Sequence, residues 1–529
     1  MLLAAAANPA RAGASMIADG AATPFAFDDL VAKARQMAGQ AYAPRILPQW
    51  TSSVLDEIDY IWHGDIRQAR AKGLFPERDT AITFFHLGQY FRRPVQIFAW
   101  EGGKARNVRY SRELFTHKPE NPAARMPDDA GFAGFRILGP AKAGESDWCA
   151  FLGASYFRCA GDGHQYGASA RAVAIDTAPS GDRLKEEFPD FTAFWIEPFE
   201  NESGRVMALL DGPSLTGAYL FTISRHPKVR MRVDCVLFPR RKVERFGIAV
   251  PTSMYWYSKT NRWEGADMRP EVHDSDGLAM RTGAGEHIWR PLNNPPILMA
   301  NAFLDENPKG FGLVQRERRF EAYDDDIGFH NRANIWIEPT SDWGRGSVQL
   351  IEIPTAHEYM DNIVCMWSPE KTPEPGDELR FSYNIFWSVE EPRSDMLARC
   401  VATRLNKGIF FPGKESKPGA PKMTRSITVE FEGAILEQLD PSQAEIVLSL
   451  SRGFAPKGPD STEYGIWPRG DGSLRQWRVI FGVHSDGDAP IDMRLFLRSG
   501  EKTLTETWLY QLHPDQYVVP RPQRLSDAL

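Results

Sequence analysis

The sequence predicts an all-β protein, and three observations carry that prediction. Short runs rich in Val, Ile, Phe, Tyr and Trp recur along the chain, as in RPVQIFAWE, KVRMRVDCVLF and RANIWIEP. Gly, Pro, Asn and Asp bound these runs, and the 529 residues include 43 Gly and 39 Pro, enough for many turns between short elements. β-Branched and aromatic side chains fit a pleated, half-buried surface, while the bounding residues supply the backbone angles that turns need. No regular alternation of strands with long helices is present, so antiparallel sheets packed face to face are expected rather than a parallel sheet.

The elements follow in order. The start, MLLAAAANPARAGAS, resembles the end of a secretory signal with its small-residue cleavage region but without a basic n-region, so residues 1–24 read as a signal remnant or a disordered tail. Phe27 to Gly39, FDDLVAKARQMAG, places Phe27, Leu30, Val31 and Ala34 on one side of a helix behind the acidic first-turn residues Asp28 and Asp29. From about Ile82 strands take over, and GDGHQYGAS around His164 reads as a turn between two of them, with His164 or Tyr166 near a ligand. Near Phe410, FFPGKESKPGAPKM has the composition of a linker. Beyond it SITVEF, AEIVLSLS, RQWRVIFGV, MRLFLRS and TLTETWLYQL alternate apolar and polar residues as the strands of an immunoglobulin-like sandwich do. The expected division is therefore a large β-sandwich over 25–403, a linker over 404–424 and an immunoglobulin-like domain over 425–529.

Composition excludes several function classes. The formal charge of -7 comes without a long run of either sign, which argues against nucleic acid as a partner. Five cysteines, Cys149, Cys159, Cys235, Cys365 and Cys400, are odd in number and lack C-x-x-C spacing, so neither a zinc site nor a disulfide framework is expected. No segment after the start carries about 18 uninterrupted apolar residues, the length of a transmembrane helix. There is no G-x-S-x-G, no G-x-x-x-x-G-K-[ST] and no H-E-x-x-H, which removes support for acyl hydrolysis, nucleotide use and zinc proteolysis. Fifteen Trp and 15 Tyr provide flat faces suited to the C–H faces of sugar rings, though the same residues also fill ordinary cores.

The densest chemistry lies in RPEVHDSDGLAMRTGAGEHIWRPLNN, from Arg269 to Asn294. Glu271, His273, Asp274 and Asp276 would project carboxylates and an imidazole from a short loop, and a carboxylate serves as acid, base or cation ligand according to its surroundings. D-x-D-G opens like a calcium loop, but Arg281 and Thr282 stand where that pattern needs acid, so calcium is not expected. A second cluster gathers Asp342, Trp343, Arg345, Glu352, His357, Glu358 and Asp361 around the strand-like VQLIEI, where Glu352 shares a side with Val348 and Leu350. Asp361 stands at the mouth of the apolar run IVCMW, a position open to a turn role as well as a catalytic one. Glycoside cleavage needs one carboxylic acid to protonate the leaving oxygen and a second group to activate water or attack the anomeric carbon. Asp361 with Asp274 or Asp276 would meet that need. A separation of roughly 6.5 to 9.5 Å would favour inversion, and about 5 Å retention.

FLGASYFRCAGDGHQYGASARAVAID, FGIAVPTSMYWYSKTNR, RPEVHDSDGLAM, WRPLNNP, DWGRGSVQLIEIPT and DNIVCMW together resemble the periplasmic glucans biosynthesis proteins of the G and D type, in the same order over nearly the whole chain. The resemblance implies a large mutarotase-like β-sandwich followed by a small immunoglobulin-like one. It also implies a periplasmic role in making osmoregulated β-1,2-linked glucans, with a functional link to a membrane glucan synthase. Some members act as endo-β-1,2-glucanases and others as transferases, with inversion favoured and no metal or organic cofactor required. On that pattern the general acid is the aspartate of the D-N-I-V phrase, Asp361, and the base is Asp274 or Asp276. Tyr255, Trp256, Tyr257, Glu271, His273, Trp289, Arg290, Trp343, Arg345 and Glu352 are candidates for contacting sugar, and each is equally suited to packing or loop anchoring. Hydrolysis, transfer and ring closure stay open, as do the G-like and D-like branches, and a noncatalytic glucan-binding protein assisting a synthase is the alternative.

Overall fold

The computed structural model describes residues 18–44, 49–140, 146–178, 185–265, 267–392, 396–407, 423–455, 464–468, 475–485 and 487–514. Strands dominate the described residues, arranged in several sheets, so the chain is all-β as its sequence predicts. It divides into two compact units: Met1–Pro251 with Ile337–Ser347 and Met366–Val389, and Thr252–Trp336 with Val348–Cys365 and Glu390–Leu529. No helix of the described residues is long and apolar enough to cross a membrane.

In the first unit one sheet runs in the order Ala18–Pro24, Lys104–Val108, Gln96–Glu101, Asp190–Ile196, Ser203–Asp211, Leu215–Ser224, Val229–Pro239 and Leu379–Ser388. Its pairings are antiparallel except where Gln96–Glu101 meets Asp190–Ile196. A second sheet orders Ser169–Ile175, Tyr156–Cys159, Asp147–Leu152, Gly134–Leu138 and Ile82–Phe85. Aromatic rings fill the space between the two. Phe151 meets Phe221 edge-on at 5.2 Å and Phe194 at 5.7 Å, and Phe157 meets Phe221 at 5.2 Å. Their polar neighbours stay satisfied: the Tyr219 hydroxyl donates to the Ala172 carbonyl at 3.2 Å, and the Trp387 indole to Ala168 at 3.3 Å. Such edge-to-face contacts add to area burial. GDGHQYGAS is the turn it reads as, between Tyr156–Cys159 and Ser169–Ile175, with the Tyr166 hydroxyl donating to Asp147 at 2.7 Å.

The predicted opening helix spans Phe27–Ala38. The Ala26 N–H donates to the Asp29 carboxylate at 2.8 Å, tying off the helix start. Its apolar side buries Leu30, Val31 and Ala34 against Trp195, Met207, Ala218 and Phe238 on the outer face of the first sheet.

In the second unit Gly310–Val314, Gly277–Arg281, His287–Pro291, Thr507–Leu512, Ile491–Ser499 and Glu445–Leu450 form one sheet in that order. A four-stranded sheet orders Arg399–Lys407, Met423–Glu432, Gln476–Ser485 and Tyr464–Pro468. The rings of Phe481 and Trp508 meet between these carboxy-terminal sheets at 6.0 Å, and the Trp508 indole donates to Thr403 at 2.8 Å. His287–Pro291 pairs in parallel with Thr507–Leu512, Trp289 opposite Trp508, so the carboxy-terminal strands share a sheet with the loop richest in acids. Residues 408–422, most of the segment read as a linker, lie outside the described residues, as do residues 1–17. Ala18–Pro24, at the end of the stretch read as a signal remnant or tail, is a strand.

Candidate functional site

A two-stranded ribbon organises the candidate site. Tyr255–Tyr257 pairs with Val272–His273, with Tyr255 opposite His273 and Tyr257 opposite Val272. Asn362 holds the other edge of the ribbon: its side chain accepts from Tyr255 N–H at 2.8 Å and donates to the carbonyls of Tyr255 and Ile353, both at 2.9 Å. An asparagine amide can satisfy a backbone donor and acceptor at once, which is why this residue type serves here. Beneath the ribbon Met254, Tyr257, Val272, Ala322, Tyr323 and Phe329 form a small apolar cluster.

Asp361 is exposed beside Asn362, and Thr252 donates to its carboxylate at 3.3 Å. Two residues further along the same segment, the Asp274 N–H donates to the Met254 carbonyl at 2.8 Å. Asp361 and Asp274 are thus anchored to positions two residues apart. The Arg332 guanidinium pairs with Asp274 through Oδ1 and lies 3.6 Å over the Phe329 ring. Asp276 is held differently. Its Oδ2 accepts the backbone N–H groups of Arg316 and, at 2.7 Å, Glu317, and its Oδ1 lies 3.3 Å from His273 Nε2.

His273 is fully buried, stacked on Tyr255 at 5.7 Å and edge-on to Tyr323 at 5.3 Å. Its Nε2 also lies 3.1 Å from Glu271. Glu271, His273 and Asp276 bring one donor atom each within 4.8 Å of one another, a grouping that could take a cation. Lys259 already supplies positive charge there, with Nζ 3.7 Å from Glu271 and 2.9 Å from Glu317. Burial pushes the Lys259 ammonium down, but the carboxylates of Glu271, Asp276 and Glu317 together outweigh it and hold the group above the ordinary lysine value. Burial likewise pushes Glu317 up, while Arg319 and Lys259 overcome it and hold the carboxylate well below its usual range.

The other candidates divide by environment. Glu352 is fully buried with Arg290 at 3.0 Å, and the Asn293 N–H donates to its second oxygen at 2.7 Å. Burial raises its pKa and Arg290 opposes the rise. Trp289 is buried beneath Arg316, whose guanidinium lies 3.5 Å from the ring centre. The Tyr257 hydroxyl donates to Asp267 at 3.0 Å, and Trp256 is half-buried. Trp343 belongs to the other unit, buried edge-on to Phe381 at 6.1 Å and Tyr383 at 5.8 Å. Arg345, also there, is exposed with Glu370 at 3.5 Å. Tyr255, Tyr257, Glu271, His273, Asp274 and Asp276 therefore lie on or next to one ribbon, Asp361 is bonded to Thr252 on the segment leading into it, and Arg290 and Glu352 form a buried pair.

Four residues that serve this geometry escape a reading of sequence: Thr252, Lys259, Glu317 and Arg332. Lys259 lies in the phrase FGIAVPTSMYWYSKTNR and Arg332 just before the strand-like NIWIEP, but their partners are 12 to 58 positions away. No periodicity exposes such pairings.

Comparison with known proteins identifies the family. The profile of the family described as "Periplasmic glucan biosynthesis protein, MdoG" matches residues 25–512. Glucans biosynthesis protein D 2 of Ralstonia nicotianae is 46% identical over 523 residues, covering 96% of this chain and 94% of its own. Glucans biosynthesis protein D of Xanthomonas oryzae pv. oryzae is 42% identical over 508 residues, covering 94% and 91%. Its counterpart in Stenotrophomonas maltophilia is 42% identical over 506 residues, with the same coverage. On these matches, which run through the ribbon and both of its flanking acids, the chain belongs to the MdoG family of periplasmic glucan biosynthesis proteins.

Proposed function

We propose that this protein works in the periplasm and cleaves or transfers β-1,2-linked glucan by acid/base catalysis, with Asp361 as acid and Asp274 as base. The observation that carries this reading is that an exposed aspartate, Asp361, and a buried one, Asp274, are bonded to Thr252 and Met254, two positions apart on the segment that leads into the ribbon. Asp361 gives its proton to the departing glycosidic oxygen as the bond to the anomeric carbon breaks. Water, or an acceptor hydroxyl in transfer, attacks that carbon from the opposite side and loses its proton to Asp274, which gives inversion.

The difference between the two loop aspartates favours Asp274 as base. Both oxygens of Asp276 are engaged by backbone N–H groups and His273, which suits a group that fixes the loop. Among the described residues no backbone N–H donates to the Asp274 carboxylate as two do to that of Asp276, and it pairs with the Arg332 guanidinium through Oδ1, which suits a group that works on substrate. Tyr255, Glu271 and His273 then set the ribbon, and the half-buried Trp256 is the aromatic ring beside it for sugar to meet. A membrane glucan synthase that supplies the polymer is the partner that the family resemblance implies.

The test is incubation of the purified protein, with Asp361→Asn beside it, on linear β-1,2-glucan, with product sizes followed by mass spectrometry. Shorter linear products, reduced by about 10²- to 10⁴-fold in the variant, are expected for hydrolysis. Products of altered length, or lacking one water, would mean transfer or cyclisation. Polymer left unchanged by both proteins while still bound by both would sink the catalytic reading in favour of a glucan-binding protein that assists a synthase.

A further inference from the structure

The first unit carries a second trough, built from residues that the ribbon chemistry does not use. Two cavities of about 280 and 380 Å³ share Tyr90, Phe91, Leu152, Gly153, Ala154 and Tyr156 in their walls. Sharing a wall makes them successive bays rather than separate pits, and each falls near the size range of ligand sites. Large aromatic groups stand open along them: Tyr90 is 68% exposed and Phe188 45%. Phe188 is not a loose ring, because the buried Arg171 guanidinium lies 5.2 Å from its centre and is itself held by Glu186 at 2.8 Å. Gly153 sits at φ +73, and a Cβ there would come within 2.9 Å of the Phe91 ring, so glycine lets that ring lie along the wall.

Polar groups occupy both ends. Arg93 pairs with Asp190 at one end, beside the Tyr42 hydroxyl, and Arg158 and Ser169 line the other. This pattern selects an occupant. A wholly apolar ligand would take the nearly buried Asp190 and its arginine further from water without returning hydrogen bonds, which is costly. An anion placed at the first bay would face the Asp190 carboxylate. A neutral polyol with apolar ring faces meets both demands, because its C–H faces lie on Tyr90 and Phe188 while its hydroxyls donate to Asp190 and accept from the arginines. Two bays in succession suit an oligomer of such rings.

We infer that this trough is a noncatalytic binding site for a neutral glucan chain, resting on the reading of the protein as one that handles β-1,2-glucan. It would hold polymer independently of bond cleavage. The site should matter for long chains and not for oligosaccharides short enough to occupy the ribbon site alone.

Tyr90→Ala and Phe188→Ala test it, since both side chains are exposed, and urea unfolding of each variant is compared with the parent's so that a loss of fold is distinguished from a loss of binding. The full-length variants are compared with the parent for binding of linear β-1,2-glucan by affinity electrophoresis, and for turnover of a short β-1,2-linked oligosaccharide and of the polymer. Polymer binding weaker by about three- to tenfold, with a matching rise in polymer KM and unchanged turnover of the short substrate, is expected. Unchanged polymer binding in both variants, with the parent binding normally, would overturn the trough site and leave the acid/base reading standing. Displacement of the polymer by a fatty acid but not by a second long neutral glucan would also overturn it, by assigning the trough to an apolar ligand. A parent that neither binds nor turns over β-1,2-glucan removes the underlying reading and this inference with it.

Discussion

The sheets of the first unit and the ribbon region of the second solve the problem of a buried interior in opposite ways. Between the first unit's sheets lie rings: Phe151, Phe157, Phe194 and Phe221 meet one another at 5.2 to 5.7 Å with few directional demands. Around the ribbon the second unit buries charge. Lys259 is shared by Glu271 and Glu317, Arg316 by Glu391 and Glu506, and Arg290 is paired with Glu352. Ring packing gives stability that tolerates small shifts, whereas a buried ion set is satisfied in few geometries and is heavily penalised when one member is lost. The contrast teaches that the second unit's interior is organised for orientation. Fixing the loop that carries Asp274 and Asp276 is what orientation can accomplish there.

The largest effect should come from breaking each interior in its own terms. Phe221→Ala removes a ring from the first unit and should cost about 3–5 kcal/mol in denaturant unfolding. Arg316→Met leaves Glu391 and Glu506 buried without their shared cation and should cost about as much, roughly 3–5 kcal/mol. The two should part when the partners are also changed. Adding Glu391→Gln and Glu506→Gln to Arg316→Met should recover a large part of the loss, because the penalty is uncompensated charge, whereas no polar change rescues Phe221→Ala. An Arg316→Met variant as stable as the parent would show that the second unit does not depend on its charges, and the contrast would fail.

How much of this was legible in the sequence depends on the range of the interaction. The helix at Phe27 was readable because its apolar side and acidic first turn are local, and strands such as Val229–Pro239 and Ile363–Pro369 were readable from residue type and bounding turns. The rise in the Glu352 pKa was foreshadowed by its apolar neighbours on one side of VQLIEI. Its partner was not, because Arg290 is 62 positions away. Asn362 reads as half of an Asp-Asn turn, yet its amide bridges Tyr255 and Ile353, which only the folded chain brings to it. Trp343 reads as a sugar platform by residue type, but Phe381 and Tyr383 surround it, and exposure cannot be read from the letter W.

A smaller effect separates two histidines. His273 faces two carboxylates, while His86 in the first unit is buried as the neutral ring, with Nδ1 2.7 Å from the Leu87 carbonyl and Nε2 3.0 Å from the Tyr110 hydroxyl. Burial pushes the His86 pKa down to about 4. Its contribution is therefore complete above the unfolded value near 6.5. It is lost as pH falls from there towards about 4, because the unfolded chain takes the proton first. The loss from His86 alone should approach about 3 kcal/mol. It is measured as the difference in pH dependence of urea unfolding between the parent and His86→Gln, over pH 7 to 4. Identical slopes would show that His86 carries no charge penalty.

The smallest expected change in stability is the most informative about function. The Arg345 and Glu370 side chains are 70% and 62% exposed, at 3.5 Å, so their pairing is screened by water and Arg345→Ala should alter unfolding by less than about 0.5 kcal/mol. Trp289 and Arg290 cannot be tested so cleanly, because both are buried and any loss of activity could come from a displaced strand. Arg345 has no such ambiguity. If it contacts glucan, Arg345→Ala should raise KM for linear β-1,2-glucan several-fold at unchanged unfolding free energy, the signature of lost substrate binding. An unchanged KM would remove Arg345 from the sugar-contacting set.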